Sequence, residues 1–199
     1  MRMTIEVTGV QGAALAEYAR IPISFEVARI LDVVSDQREG ASFRLSERAV
    51  ETPYIKDYDA IADGPTEWPV RFDTSSWGLL AARIGGACVG GAVVAHDTTG
   101  LDMLEGRSDL VILWDIRVLP DWRRQGVGGA LFRAAEAWGM ARACRTLKVE
   151  TQNINVAACR FYARHGCVLR AVLHDVYPEC PGEVQLLWYK DLIDDVSVG

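Results

Sequence analysis

The spacing of apolar positions changes partway along the chain. MTIEVTG alternates through Met3, Ile5 and Val7, SFEVARILDV is rich in strand formers, and SFRLSERAVE alternates through Phe43 and Leu45 before its pattern weakens. A period of two is the mark of strands with one buried face. A short helix is predicted at QGAALAEYAR, whereas IADGPTEWPVRFDTSS reads as a loop because Gly64-Pro65 and Pro69 interrupt any regular element. WGLLAARI and ACVGGAVVAHD then flank Gly85-Gly86, the residue type that a tight hairpin turn needs, so an antiparallel hairpin is predicted. LVILWDIRV adds a strand, and Pro120, with no N–H to give a ladder, marks its end. From Val127 the period lengthens. Val127, Leu131, Ala134, Trp138 and Ala141 fall at helical spacing with Arg133 and Glu136 opposite, which predicts an amphipathic helix able to cover a sheet. TLKVET is a short strand, and NINVAACRFYARHG is a helix opening at Asn153 or Asn155 as N-cap and closing near Gly166. AVLHDVY and EVQLLWYKDL read as two closing strands, and DDVSVG as a frayed tail.

Composition narrows the function classes. The 199 residues, 50% hydrophobic and 24% charged, predict one domain over residues 1–199. A net charge of -6 and a pI near 5.1 argue against a nucleic-acid surface, which requires clustered Lys and Arg, and suit a cationic small molecule better, although solubility alone accounts for an acidic balance more readily. The five cysteines are odd in number and form no C-x-x-C pair, which points to free thiols in a reducing compartment. His96, His165 and His174 lie far apart, so no metal site is predicted. The opening MRMTIEVTGV lacks the apolar stretch of a signal peptide and no run is long enough to span a bilayer, so a cytoplasmic location and no membrane partner are expected.

The chemistry-bearing stretch is WRRQGVGG, between a strand and a long helix. A Walker loop needs lysine and a hydroxyl after its last glycine, but Ala130 and Leu131 follow Gly129, which excludes that reading. A dinucleotide fingerprint needs a third glycine where Leu131 stands, directly after the first strand of a parallel unit. There remains R-x-x-G-x-G, formed by Arg123, Gly126 and Gly128. Such glycines let backbone N–H groups close on an anion while the helix start adds partial positive charge, a pyrophosphate cradle. A tight turn before a helix would account for one glycine, but less easily for Gly126, Gly128 and Gly129 beside two arginines.

IRVLPDWRRQGVGGALFRAAEAWG followed by ETQNINVAACRFYARHGCVL resembles the acetyl-CoA-binding half of the GNAT N-acetyltransferase superfamily. PYIKDYD, ETQNINVAACRFY and EVQLLWY are similar to its streptothricin acetyltransferase-like branch. The better-matched part is about residues 77–190, and residues 1–76 diverge. The resemblance implies an α/β fold with a mixed, mostly antiparallel sheet flanked by helices, with two strands splayed at the acetyl-CoA site. It implies that the pantetheine arm pairs with Ile116 and Val118 and that the pyrophosphate lies on Arg123, Arg124, Gln125, Gly126, Val127, Gly128 and Gly129. Asn155 would bond the pantetheine, and Tyr162 would stand near the thioester sulfur.

Asn155 and Tyr162 are seven apart, so a helix brings them to nearly the same angle. Aminolysis of a thioester needs a neutral amine, a donor for the developing oxyanion and a proton for the departing thiolate. The Val118 N–H is the expected donor, and Tyr162 the expected acid, although a core aromatic beside Phe161 would also explain it. Many relatives carry glutamate at the position matching Trp114, so the usual base is missing. Asp115, Glu150 or water could take the proton, and either carboxylate could instead be structural. Glu179 and Glu183 could bind a cationic acceptor or simply be solvated. Cys159 lies one turn from Asn155 and Tyr162 with no local histidine to activate it, which favours a buried thiol over a nucleophile. The expected function is direct acetyl transfer from acetyl-CoA to a primary amine, with a streptothricin-like cation as acceptor. Protein or peptide N-acetylation and a non-catalytic CoA sensor are the alternatives.

Overall fold

A computed structural model describes residues 5–10, 14–36 and 42–192. The predicted start of the first strand at Met3 and the tail DDVSVG lie outside the described residues. Seven strands form a mostly antiparallel sheet flanked by helices, and two others form a separate ribbon. The chain divides into two compact units, the first from the stretches Met1–Ile23, Ala62–Leu147 and Asp191–Gly199, the second from Ser24–Ile61 and Lys148–Lys190.

In the first unit, β1 (Glu6–Val10) pairs antiparallel with β4 (Gly78–Ile84), which turns into β5 (Ala87–Ala95). Gly85 and Gly86 both hold positive φ, 58° and 85°, the pair of left-handed residues that a type I′ hairpin demands. β5 pairs antiparallel with β6 (Leu110–Val118), and the register slips once, where Val93 faces Asp115 but Val94 faces Leu113. Trp114 is therefore the extra residue of a β-bulge. The helix α3 (Val127–Met140) buries Val127, Leu131, Phe132, Ala135 and Gly139. Its inner stripe is rotated from the predicted one, leaving Ala134 and Trp138 half-buried. Gly139 explains the rotation, because a Cβ there would stand 2.6 Å from Val111 Cγ1; the helix comes closest to the sheet where there is no side chain.

The segment read as a loop contains a short helix, α2 (Trp68–Arg71), preceded by a 3-10 turn at Pro65–Glu67. Pro69 permits it because proline in a first helical turn gives up only an N–H that has no intrahelical partner. Earlier in the chain, α1 (Ala14–Tyr18) is short, as expected, and delivers Tyr18 and then Ile21 to the core. Tyr18 lies against Gly91, where an added Cβ would meet its ring at 2.6 Å.

In the second unit, β2 (Phe25–Asp36) and β3 (Ser42–Lys56) form the ribbon. β3 continues past the point where alternation fades in the sequence, because most of its later side chains are exposed and no buried face enforces the period. β7 (Thr146–Gln152) starts in the first unit and runs into the second, followed by α4 (Val156–Arg164), β8 (Val168–Leu173) and β9 (Gln185–Asp191). β8 begins and ends earlier than predicted. Asp175, at φ 58°, already turns the chain. Asn155, not Asn153, caps α4, its Oδ1 accepting from Ala158 N at 3.1 Å, and Gly166 closes the helix at φ 82° as expected. Asn153 is instead a staple. Its N–H donates to Val184 O, its O accepts from Leu31 N, its Nδ2 donates to Leu31 O, and its Oδ1 accepts from Val184 N, all between 2.9 and 3.0 Å. No helix among the described residues is long and apolar enough to cross a membrane.

Candidate functional site

In the first unit the site begins on β6. Leu119 N donates to Val89 O at 2.9 Å and Gly90 faces Val118. Antiparallel alternation then turns the backbone groups of Asp115 and Arg117 toward β5 and those of Ile116 and Val118 away from it. The expected pantetheine-pairing residues are thus the two whose polar edges face outward from the hairpin. The Val118 carbonyl is already taken, accepting from Arg123 Nε at 3.0 Å, while Arg123 Nη2 donates to Pro22 O at 3.2 Å. Arg123 therefore ties the loop to the chain through two of its three guanidinium nitrogens.

Those residues form a compact turn. Arg124 holds φ 61° and Gly126 φ 89°. A Cβ at Gly126 would have as its nearest neighbour Ile5 Cδ1, 3.8 Å away, so glycine is required by the backbone angle rather than by crowding. Gln125 turns back, its Nε2 donating to Asp121 O at 2.6 Å. The α3 ladder starts with Ala130 N donating to Gly126 O at 3.0 Å, and no side chain caps the helix. The N–H groups of Val127, Gly128 and Gly129 are the first-turn donors that an α-helix leaves without intrahelical partners. With the exposed Arg124 beside them, they fit a pyrophosphate.

The departure at 114 has a structural cause. Trp114 packs with Trp68, Phe72 and Trp77 at centroid distances of 6.2, 5.6 and 5.3 Å, an environment hostile to the glutamate that the resemblance implies at this position. Its neighbour Asp115 is committed as well. Its Oδ2 lies 2.7 Å from Arg117 Nε, with side-chain exposures of 8% and 2%, and Arg117 Nη1 donates to Ile21 O at 3.2 Å. Burial and then the Asp115 charge push the phenol of Tyr18, also against Arg117, far above its ordinary value.

In the second unit, Asn155 and Tyr162 open and close the same helix, Asn155 half-buried and Tyr162 buried. With Oδ1 spent on the cap, Asn155 offers a ligand its Nδ2 donors. Burial pushes the Cys159 thiol up to about 12, against an activated nucleophile. Glu150 accepts from the Tyr177 hydroxyl at 2.5 Å and from Gln152 Nε2 at 3.3 Å, and Gln152 also reaches Tyr177 Oη at 3.1 Å. Glu183 is buried rather than solvated: Lys56 Nζ lies 2.5 Å from one oxygen, and the Tyr58 hydroxyl donates to the other at 2.6 Å. Glu179 is exposed. Sequence reading missed Lys56, Tyr58 and Tyr177 as a set, although PYIKDYD holds two of them two positions apart at the end of β3.

A mostly antiparallel sheet that runs through a bulged strand into a glycine-edged turn and an uncapped helix is the architecture of an acyl-CoA-dependent transferase. The profile of the acetyltransferase (GNAT) family matches residues 43–167, and the chain belongs to that family of N-acetyltransferases. It is 34% identical over 154 residues to streptothricin acetyltransferase A of Bacillus subtilis (strain 168), covering 76% of this chain and 81% of the relative. It is 28% identical over 169 residues to a streptothricin acetyltransferase of Escherichia coli, covering 83% and 84%. In fold it is similar to nourseothricin acetyltransferase, with TM-score 0.72, 22% identity and coverage of 95% and 99%. It is also similar to a Bacillus anthracis protein assigned as a streptothricin acetyltransferase and solved with acetyl coenzyme A, with TM-score 0.77, 22% identity and coverage of 94% and 99%.

Proposed function

We propose that the protein transfers acetyl from acetyl-CoA directly to a primary amine of a cationic small molecule of the streptothricin type, as one catalytic domain, and so could confer resistance to such an antibiotic. The observation that carries this reading is the turn from Arg124 to Gly129, with two left-handed residues leading into an uncapped helix start. The 34% identity to a streptothricin acetyltransferase supports the acceptor class.

Acetyl-CoA supplies the activated acyl group when bound. The N–H groups of Val127, Gly128 and Gly129, with Arg124 and the backbone of Gln125 and Gly126, hold its pyrophosphate, and Arg123 braces the loop. Ile116 pairs with the pantetheine, Asn155 Nδ2 donates to it, and Val118 meets its acyl end through the N–H alone. The Val118 N–H donates to the thioester oxygen as charge builds there, a contact typically worth about 2.7–4 kcal/mol. Tyr162 gives its proton to the departing thiolate. Of the carboxylates that could serve the opposite step, Asp115 is quenched by Arg117, and the attacking amine loses its proton to water.

Isothermal titration with acetyl-CoA tests the cradle: wild type binds, and Gly126→Glu, which forces a bulky residue to positive φ, abolishes binding. Unchanged binding in the variant removes the cradle. A panel of streptothricin, polyamines and peptides, read as acceptor-dependent CoA release, tests the acceptor. Release with peptides alone would move the function to protein acetylation, and release with none would leave a CoA sensor.

A further inference from the structure

The charge balance of the second unit bears on how an amine acceptor is held, a question that rests on the acyl-transfer reading proposed above. The polar groups of this unit gather around two carboxylates, Glu150 and Glu183, with Lys56, Tyr58, Gln152, Tyr177 and Cys180. Burial alone would lower the Lys56 ammonium, but hydrogen bonds to Glu183 and Cys180 outweigh it and its pKa is raised, so Lys56 stays charged. Burial, followed by the neighbouring carboxylates, pushes Tyr58 and Tyr177 well above the ordinary phenol range. Both hydroxyls therefore remain neutral donors. Lys56 cancels Glu183. Glu150 is different, because its two partners are a phenol and an amide, and no lysine, arginine or histidine among the described residues pairs with it. Glu150 is therefore the carboxylate of this cluster that is held by neutral donors rather than by an ion pair, at a half-buried position.

A fixed, half-buried carboxylate without a counter-ion is stabilised by a bound cation, and a hydroxyl and an amide that aim it without neutralising it leave its charge for a ligand. We infer that Glu150 is the specificity residue of the acceptor site, holding one ammonium group of a substrate that carries at least two amines, while a different amine of the same molecule accepts the acetyl group. Glu150 is then an anchor and the reacting amine loses its proton to water. Tyr177 is a positioning residue that fixes the carboxylate.

Lysinamide, a small diamine, is the probe. Titration calorimetry with lysinamide is expected to show binding to wild type and about tenfold or greater weakening in Glu150→Gln, which keeps shape and removes charge, with acetyl-CoA affinity unchanged. Tyr177→Phe should weaken binding less. Absence of binding to wild type, or equal binding to wild type and Glu150→Gln, overturns the inference. In turnover, Glu150→Gln should raise KM for lysinamide about tenfold while kcat stays within about twofold. A fall in kcat at unchanged KM, equally large with butylamine, would make Glu150 the proton acceptor and overturn the anchor. If wild type acetylates no amine at all, the acyl-transfer reading fails, and the calorimetry still decides whether Glu150 binds an ammonium group.

Discussion

Replacing Trp114 with the glutamate that the resemblance implies at this position should damage this protein rather than improve it. The substitution removes three ring contacts, to Trp68 at 6.2 Å, Phe72 at 5.6 Å and Trp77 at 5.3 Å. Such pairs contribute about 0.5–1.5 kcal/mol each beyond burial, and truncating a large aromatic in a core costs about 3–5 kcal/mol. Trp114 is half-buried, so the low end, about 3 kcal/mol, is expected for Trp114→Ala. Glutamate adds the cost of bringing a carboxylate among indole rings, which it can reduce only by taking up a proton and so ceasing to be a base at neutral pH. At about 2–4 °C of Tm per kcal/mol for a chain of this size, Trp114→Glu should melt about 10 °C below wild type. Trp114→Phe, which keeps a ring, should lose about half as much or less. Calorimetric melts at pH 7 with pH–rate profiles of both variants check this. A Trp114→Glu protein that melts with wild type and turns over faster would show that position 114 is an open catalytic site and not part of a packed cluster.

Gly91→Ala should destabilise by about 1–3 kcal/mol in urea unfolding, because the new Cβ would meet Tyr18 Cδ2 at 2.6 Å and Leu80 O at 3.0 Å; an unchanged midpoint would mean that Tyr18 does not sit there. Asp115→Asn leaves the Arg117 charge, 2% exposed, without its partner, a loss of about 3–5 kcal/mol. Its activity should fall with its stability, and a stable variant lacking only a pH-dependent limb would restore Asp115 as base. For Cys159, a thiol at about 12 is ionised in about one molecule in ten thousand at pH 8, so iodoacetamide should label it only after denaturation, and rapid native labelling would contradict its burial. Asn155→Asp retains an N-cap acceptor while losing the amide donors, whereas Asn155→Ala loses both. The first should raise KM for acetyl-CoA at unchanged Tm, the second should also cost about 1 kcal/mol of stability, and unaltered KM in both would remove Asn155 from the cofactor site.

The hairpin at Gly85-Gly86, the strand Leu110–Val118 and the helix from Val127 are legible because each is local: a turn chemistry, a run of β-formers, a 3.6 period. The bulge at Trp114 is not, since it depends on which residue of β5 each residue of β6 faces. Nor is the short helix at Trp68, whose buried indole is held by nearby Trp77 and by Trp114 from a distant strand. The glycine loop suggests a ligand class in its letters, but the bracing role of Arg123 cannot be read from them, because its bonds go to Val118 O and Pro22 O and only the fold brings Pro22 there. Asn153 and Asn155 look interchangeable as caps until the first is seen bonding both Leu31 and Val184.

Of the two carboxylates that the sequence puts forward for the proton, a small local difference separates them. Residues i and i+2 on a strand share a face. Asp115 has Arg117 at that spacing, and the pair closes to 2.7 Å with both side chains almost wholly buried. Breaking it to free the carboxylate would leave a guanidinium stranded in the core, so the charge is spent on holding β6 and the Ile21 carbonyl together. Glu150 has Gln152 at the same spacing, an amide that can orient a carboxylate at 3.3 Å without cancelling its charge. Asp115 is thereby structural, whereas Glu150, held by an amide and a phenol, is not ion-paired among the described residues even though Lys148 stands two positions before it on the same strand.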